Sequence, residues 1–246
     1  MGYRLPLELL LCGGVFLFYR YIRTITRDDG REAFANARHV MRIEQMLGIF
    51  NEPHVQGVFL AQPGRHPRPE PVLRHRPLHC HGIGFLAWAY VRHNRIYSAI
   101  RNVFLTVTGA ALVIHVLVPL APPRMFPGNG FVDTLRLYGP RIYTTDLSQS
   151  VANQFAAVPS LHFGWAVLVA GGVIAIKRNK WSLLTILHPV ITLLAIVATG
   201  NHYWFDAMVA MALIMLAVIG LLAYQRRQTI RVRAAAAVRF IRLARV

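Results

Sequence analysis

The chain has 246 residues, 55 % of them hydrophobic, and a mean hydropathy of +0.41. The apolar residues are gathered in long blocks, which excludes a water-soluble domain and also a barrel of short alternating strands. Twenty-seven Lys and Arg stand against ten Asp and Glu, a formal charge of +17, but most of the basic residues flank the apolar blocks, where they meet lipid phosphates and not nucleic acid.

The first apolar run, Leu5 to Phe18, is followed by Arg20 and Arg23 and not by a small-residue cleavage site, so we read it as a retained anchor helix. From Arg31 onward Phe34, Ala37, Val40 or Met41, Glu44 and Leu47 recur at mixed helical spacing. They predict an amphipathic helix or pair lying on the membrane, interrupted at Pro53. Next comes "PGRHPRPEPVLRHRPLHCH", Pro63 to His81, in which thirteen of nineteen residues are Pro, Arg or His. No regular element tolerates that density of proline. It leaves only Ile83 to Val91 before Arg92, about 14 Å of helix or half a bilayer. Two readings of this stretch stand open, a compensated frame slip in a GC-rich gene and a genuine basic loop.

Four longer runs follow: Asn102 to Leu120, Phe155 to Ile176, Trp181 to Thr199 and Tyr203 to Tyr224. Each approaches the ~20 residues that a helix needs to cross a bilayer. The expected fold is all-α, a polytopic integral membrane bundle of about six transmembrane helices, the second doubtful, with an amphipathic interfacial helix. The chain divides into an anchor and interfacial part (1–95), a catalytic membrane core (96–225) and a basic tail (226–246). The basic clusters Arg92 to Arg95, Lys177 to Lys180 and Gln225 to Arg233 are cytoplasmic by the positive-inside rule. The connection from Ala121 to Val158 and the turn at Gly200 to His202 are then extracytoplasmic. The tail reads as a solvated basic segment that fixes topology, or as a basic helix on the cytoplasmic leaflet.

The chemistry gathers at that outer face. His202 and Asp206 are four residues apart and share a helix face, an arrangement in which the carboxylate fixes the imidazole tautomer. His162 lies at the outer end of another span. Two histidines and a carboxylate suit phosphoryl chemistry, one imidazole attacking phosphorus and the other protonating the leaving oxygen. The phosphate oxygens need cations and N–H donors. Arg124, Arg141, Asn201 and Ser160 at a helix start are the candidates in the same region.

"FAAVPSLHFGWAV" followed by "ATGNHYWFDAMVA" resembles the type-2 phosphatidic acid phosphatase superfamily, most closely the branch of inositol phosphorylceramide synthase and its bacterial relatives. The resemblance runs from about Ile96 to Tyr224, with a weaker echo after Arg31. It implies His202 as nucleophile, Asp206 as its orienter and His162 as general acid. The hydrolase branch carries Lys-x6-Arg-Pro and a Ser-Arg before the last histidine, where this chain has Leu117 and the pair Ala195 and Ile196. Their loss favours the transferase branch, and it leaves Arg124 and Arg141 as competing phosphate binders.

Other histidines read differently. His115 is expected to be buried and bonded to a neighbouring helix, and His188 to satisfy carbonyls freed at a kink around Pro189. His79 and His81 beside Cys80 lack a second ligand pair, and Cys12 stands apart, so no metal is expected. A haem-ligating membrane electron carrier is a different class that histidines on several spans allow, but Asp206 and the outer arginines suit an anion better. The reading is a multi-pass enzyme of the cell membrane, its site facing the extracytoplasmic side. It works without cofactor on a phospholipid or lipid phosphate through phosphohistidine, and motif detail favours phosphoinositol-type headgroup transfer. A lipid phosphate phosphatase is the alternative, and a non-catalytic protein with a decayed site the third.

Overall fold

The computed structural model describes residues 4–25, 30–61, 79–138 and 155–243. Within them the chain is helical. Helix α1 spans Arg4–Ile25, α2 Gly30–Met46, α3 Glu52–Leu60, α4 His79–Arg92 and α5 Asn94–Leu117. A short α6, Thr134–Tyr138, precedes α7 (Leu161–Lys177), α8 (Leu187–Ala198) and α9 (Trp204–Leu243). Tight 3-10 turns at Pro123–Met125 and Pro127–Asn129 shape the connection after α5, and another, Lys180–Ile186, leads into α8. The described residues contain no strand, and Leu120 and Ala156 form a single parallel bridge.

Among the described residues, three segments are long and apolar enough to cross a membrane: Ile96–Leu117, Lys180–Ala198 and Trp204–Arg231. Helix α7, with 17 residues, and α4, with 14, fall short of the ~20 that a full crossing takes. Helix α5 packs on α4, α7 and α9, while α7 also packs on α8 and α9, so the two shorter helices are built into the bundle. The α4–α7 contact depends on missing side chains. A Cβ on Gly172 would lie 2.4 Å from the Phe85 ring, and one on Gly82 would lie 2.7 Å from the Trp165 ring. Gly82 and Gly172 thus set the seam between α4 and α7; residues 62–78 of the Pro/Arg/His-rich stretch lie outside the described residues.

The amphipathic segment is a pair of helices, and the break falls before Pro53. Gly48, at φ +70°, turns the chain out of α2, and Pro53 sits in the first turn of α3, where its missing N–H has no helical partner to lose. The buried stripe of α2 is Ala33, Ala37, Val40, Met41 and Glu44. It packs on Leu120, Ala121, Phe126 and Tyr203, so this face meets protein. Leu47, expected in the stripe, is exposed.

One further expectation is corrected. Pro189 stands in the first turn of α8 and kinks nothing, because the preceding turn is already 3-10 and proline is tolerated there. His188 instead bonds the Ala166 backbone on α7, and its ring meets His81 edge-on at 5.5 Å. Helix α9 runs unbroken through Tyr224 and Arg226 for 40 residues. At 1.5 Å per residue that is about 60 Å, twice the ~30 Å hydrocarbon core, so the basic tail begins as a continuation of the last span.

Candidate functional site

Two helix starts and the turn after α5 converge on the site. Ser160 caps α7, its Oγ accepting from the Phe163 N–H at 3.3 Å, which places His162 in the first turn. His202 stands just before α9, and Asp206 is in its first turn. The Ser160 N–H donates to the Asp206 carbonyl at 3.1 Å, tying the start of α7 to the start of α9. His115 is buried on α5 as expected, and its Nε2, 3.2 Å from the Pro159 carbonyl, bonds the segment leading into α7 and not a helix, pinning that approach from the other side.

These ties bring the two histidines together. His162 Nδ1 is 3.3 Å from His202 Nε2, with the ring centroids 5.6 Å apart. His202 Nδ1 lies 3.1 Å from Asp206 Oδ2, which also accepts from the Tyr203 N–H at 3.0 Å. A carboxylate can only accept, so it selects the tautomer with the proton on Nδ1 and leaves Nε2 with its lone pair aimed at His162. Both His202 and Asp206 are buried, which holds the imidazole in one orientation. The arrangement can present a bare nitrogen nucleophile beside a second imidazole that carries a proton.

Arg124 arrives from the 3-10 turn after α5. Its Nη1 donates to Asn201 Oδ1 at 2.6 Å, and its backbone N–H donates to the Gly200 carbonyl at 2.9 Å. The guanidinium is thereby fastened to the residue preceding His202. Gly200 makes this approach possible: its φ is +65°, and a Cβ there would lie 3.2 Å from Arg124 Cβ and 3.1 Å from Gln56 Nε2. Burial pushes the Arg124 guanidinium below its ordinary value, with Asp133 opposing. Asn201 Nδ2 donates to Thr199 Oγ1 at 2.7 Å, so Asn201 is held at both ends.

The structure thus brings together His162, His202, Asp206, Arg124, Asn201 and Ser160. The N–H of Ser160 is engaged by Asp206, so what Ser160 has to offer an anion is its hydroxyl hydrogen. Arg141 lies outside the described residues. Among the described residues, no group of three His, Cys, Asp or Glu side chains gathers as metal ligands would.

Sequence reasoning missed the polar backing of the site. Glu44 Oε1 accepts from the Phe205 N–H at 2.8 Å and Glu52 Oε1 from the Trp204 N–H at 3.4 Å. Gln56 on α3 clamps the Val132 backbone, donating to its carbonyl at 3.1 Å and accepting from its N–H at 2.7 Å. Thr134 Oγ1 donates to the Thr199 carbonyl. The available signal was Glu44 itself, an acid on the otherwise apolar stripe of α2.

A family model described as the PAP2 superfamily matches residues 38–220. The chain belongs to the PAP2 superfamily. No curated protein and no solved structure matches it. The PAP2 match begins inside α2 and ends within α9, so it takes in every described site residue together with Glu44, Glu52 and Gln56. PAP2 membership supports a phosphatase or phosphotransferase activity on lipid phosphates, and the three long apolar helices fit a lipid environment.

Proposed function

We propose that this PAP2 protein is a multi-pass enzyme of the cell membrane that transfers a lipid phosphate group through a phosphohistidine on His202. The observation that carries the reading is the contact of His162 Nδ1 with His202 Nε2 at 3.3 Å, backed by Asp206 on the other nitrogen of His202. In the first step His202 Nε2 bonds to phosphorus while the bond from phosphorus to the leaving oxygen breaks. His162 gives that oxygen its proton. In the second step the same imidazole takes a proton from the incoming hydroxyl, which attacks phosphorus and frees His202. Asp206 stabilises the cationic imidazole between the steps. Arg124, Asn201 and the Ser160 hydroxyl are suited to the equatorial oxygens, and Arg141 is a further candidate. Phosphorus with its leaving oxygen in line does not fit between nitrogens in hydrogen-bond contact, so substrate must part the two rings.

The acceptor in the second step decides between water and an alcohol. Ile196 stands where the hydrolase pattern carries an arginine, and it is buried among Phe163, Val197, Ala207 and Ala210. That apolar setting supports headgroup transfer of the phosphoinositol type, with the site at the extracytoplasmic face. The test compares wild type and His202→Ala in mixed micelles with phosphatidic acid, and separately with phosphatidylinositol and a labelled lipid alcohol. Labelled product that vanishes in the variant is the expected result. Phosphate release without transfer makes the protein a phosphatase, and equal signals in both proteins defeat the catalytic reading.

A further inference from the structure

We infer that Glu44 and Glu52 are positioning residues of this site: they share one proton as a carboxylic acid and carboxylate, and together hold the first turn of α9, which carries Asp206 and follows His202. The inference rests on the reading of His202 and Asp206 as catalytic. Both acids are fully buried, at 0 % exposure, and they come from different helices, α2 and α3. Each uses Oε1 to accept a backbone N–H of the first turn of α9, Glu44 from Phe205 and Glu52 from Trp204. Those amides have no partner inside the helix, so the two side chains do the work of a cap. The other oxygens, Glu44 Oε2 and Glu52 Oε2, meet no donor among the described residues. The two side chains are nevertheless within hydrogen-bonding reach of each other. Two carboxylates cannot bond to each other without a proton, and two adjacent buried negative charges are prohibitively costly. One proton between the Oε2 atoms removes both difficulties.

The titratable groups that act on Glu44 are Glu52 from α3 and Asp206 and Tyr203 from the start of α9, none of them a cation. Burial first, and then Glu52, push the Glu44 carboxyl up to about 9. A second charge here would oppose Asp206, whose own charge the imidazole needs. The pair therefore keeps the backing of α9 singly charged at neutral pH.

The test uses the purified full chain in micelles. Glu44→Gln keeps an oxygen for the Phe205 N–H and offers an N–H to the Glu52 carboxylate, so it imitates the protonated acid. Glu44→Leu removes both contacts, and in Glu44→Gln/Glu52→Gln, with each oxygen kept on its backbone N–H, two amide NH2 groups face each other without an acceptor. We expect wild type to lose activity above about pH 9, and Glu44→Gln to retain activity without that loss. In the double variant and in Glu44→Leu we expect kcat to fall ~10- to 100-fold with KM little changed. An infrared C=O band of a protonated carboxyl, present in wild type at neutral pH and absent in Glu44→Gln, reads the shared proton without any activity. Absence of that band in wild type overturns the inference, as does a Glu44→Gln variant as inactive as Glu44→Leu or one with the wild-type pH profile. If wild type is inactive on every lipid phosphate while the band is present, the catalytic reading fails and the proton-sharing pair stands.

Discussion

At the scale of residues, the site is a chain of fixed orientations. Asp206 fixes the tautomer of His202, and Asn201, held by Thr199, places the guanidinium of Arg124. Arg124 works as a planar fork already committed at one nitrogen. Arg124→Lys therefore loses the contact to Asn201 along with the fork, and kcat/KM should fall by about 10²- to 10³-fold, as for loss of one oxyanion donor. His162→Ala should lower kcat by about 10²- to 10⁴-fold, the range of general acid catalysis, while an activated ester with a good leaving group recovers much of it. Steady-state kinetics on the two esters checks both. Glu44 adds a dependence of stability on pH with a definite sign. Its carboxyl rises from 4.5 to about 9 on folding, so between those values the folded chain holds one proton more than the unfolded chain. Stability contributed by this proton is fully present below 4.5, declines as pH rises, and is lost once pH has passed about 9. Thermal unfolding scans of wild type should show that decline, and Glu44→Gln should flatten it.

At the scale of elements, two glycines let rigid pieces approach. Gly200 sits at φ +65° against Arg124. Gly200→Val should cost about 1–2 kcal/mol in backbone strain and displace Arg124, so activity should fall further than the melting temperature implies. Gly172 admits Phe85 between α4 and α7. Gly172→Leu overpacks that seam, at a cost of about 1–3 kcal/mol, and should loosen α4 without touching a site residue. Denaturation in micelles with activity at saturating substrate separates the two cases. The pattern of α2 was legible because Ala33, Ala37, Val40 and Met41 recur at helical spacing, yet it did not say what the stripe would cover. Spacing marks a face as apolar. The covering surface, here Leu120, Phe126 and Tyr203, comes from residues some 80 to 160 positions away and has no local signature.

At the scale of the whole molecule, the exposed surface is the surface of a protein in lipid. Met208, Met215, Leu216, Ile219 and Leu222 stand out from α9, and only 17 % of its most apolar window is buried. A contiguous apolar band of this kind is stable against acyl chains and not against water. Orientation is tested by labelling single cysteines with a membrane-impermeant reagent after Cys12 and Cys80 are replaced by serine. Gly128→Cys, in the exposed connection after α5, should react from outside intact cells, and Asn179→Cys, in the turn after α7, only after permeabilisation. The reverse pattern places His162 and His202 on the cytoplasmic side.

Sequence alone determined the class and the pairing of His202 with Asp206. Long apolar blocks demand helices in lipid because backbone amides there have no other partners, and a histidine and an aspartate four residues apart must share a helix face whatever surrounds them. Both are local consequences of covalent spacing. Tertiary structure decided the rest. The approach of His162 to His202, 40 residues apart, needs α7 and α9 to be tied through Ser160 and the Asp206 carbonyl. The reach of Arg124 to Asn201 needs Gly200 to lack a side chain. The meeting of Glu44 and Glu52 beneath α9 needs the turn at Gly48 to part α2 from α3, so that each can reach the start of α9. Each of these is a contact between segments whose separation along the chain says nothing about their distance in space, so packing alone creates it.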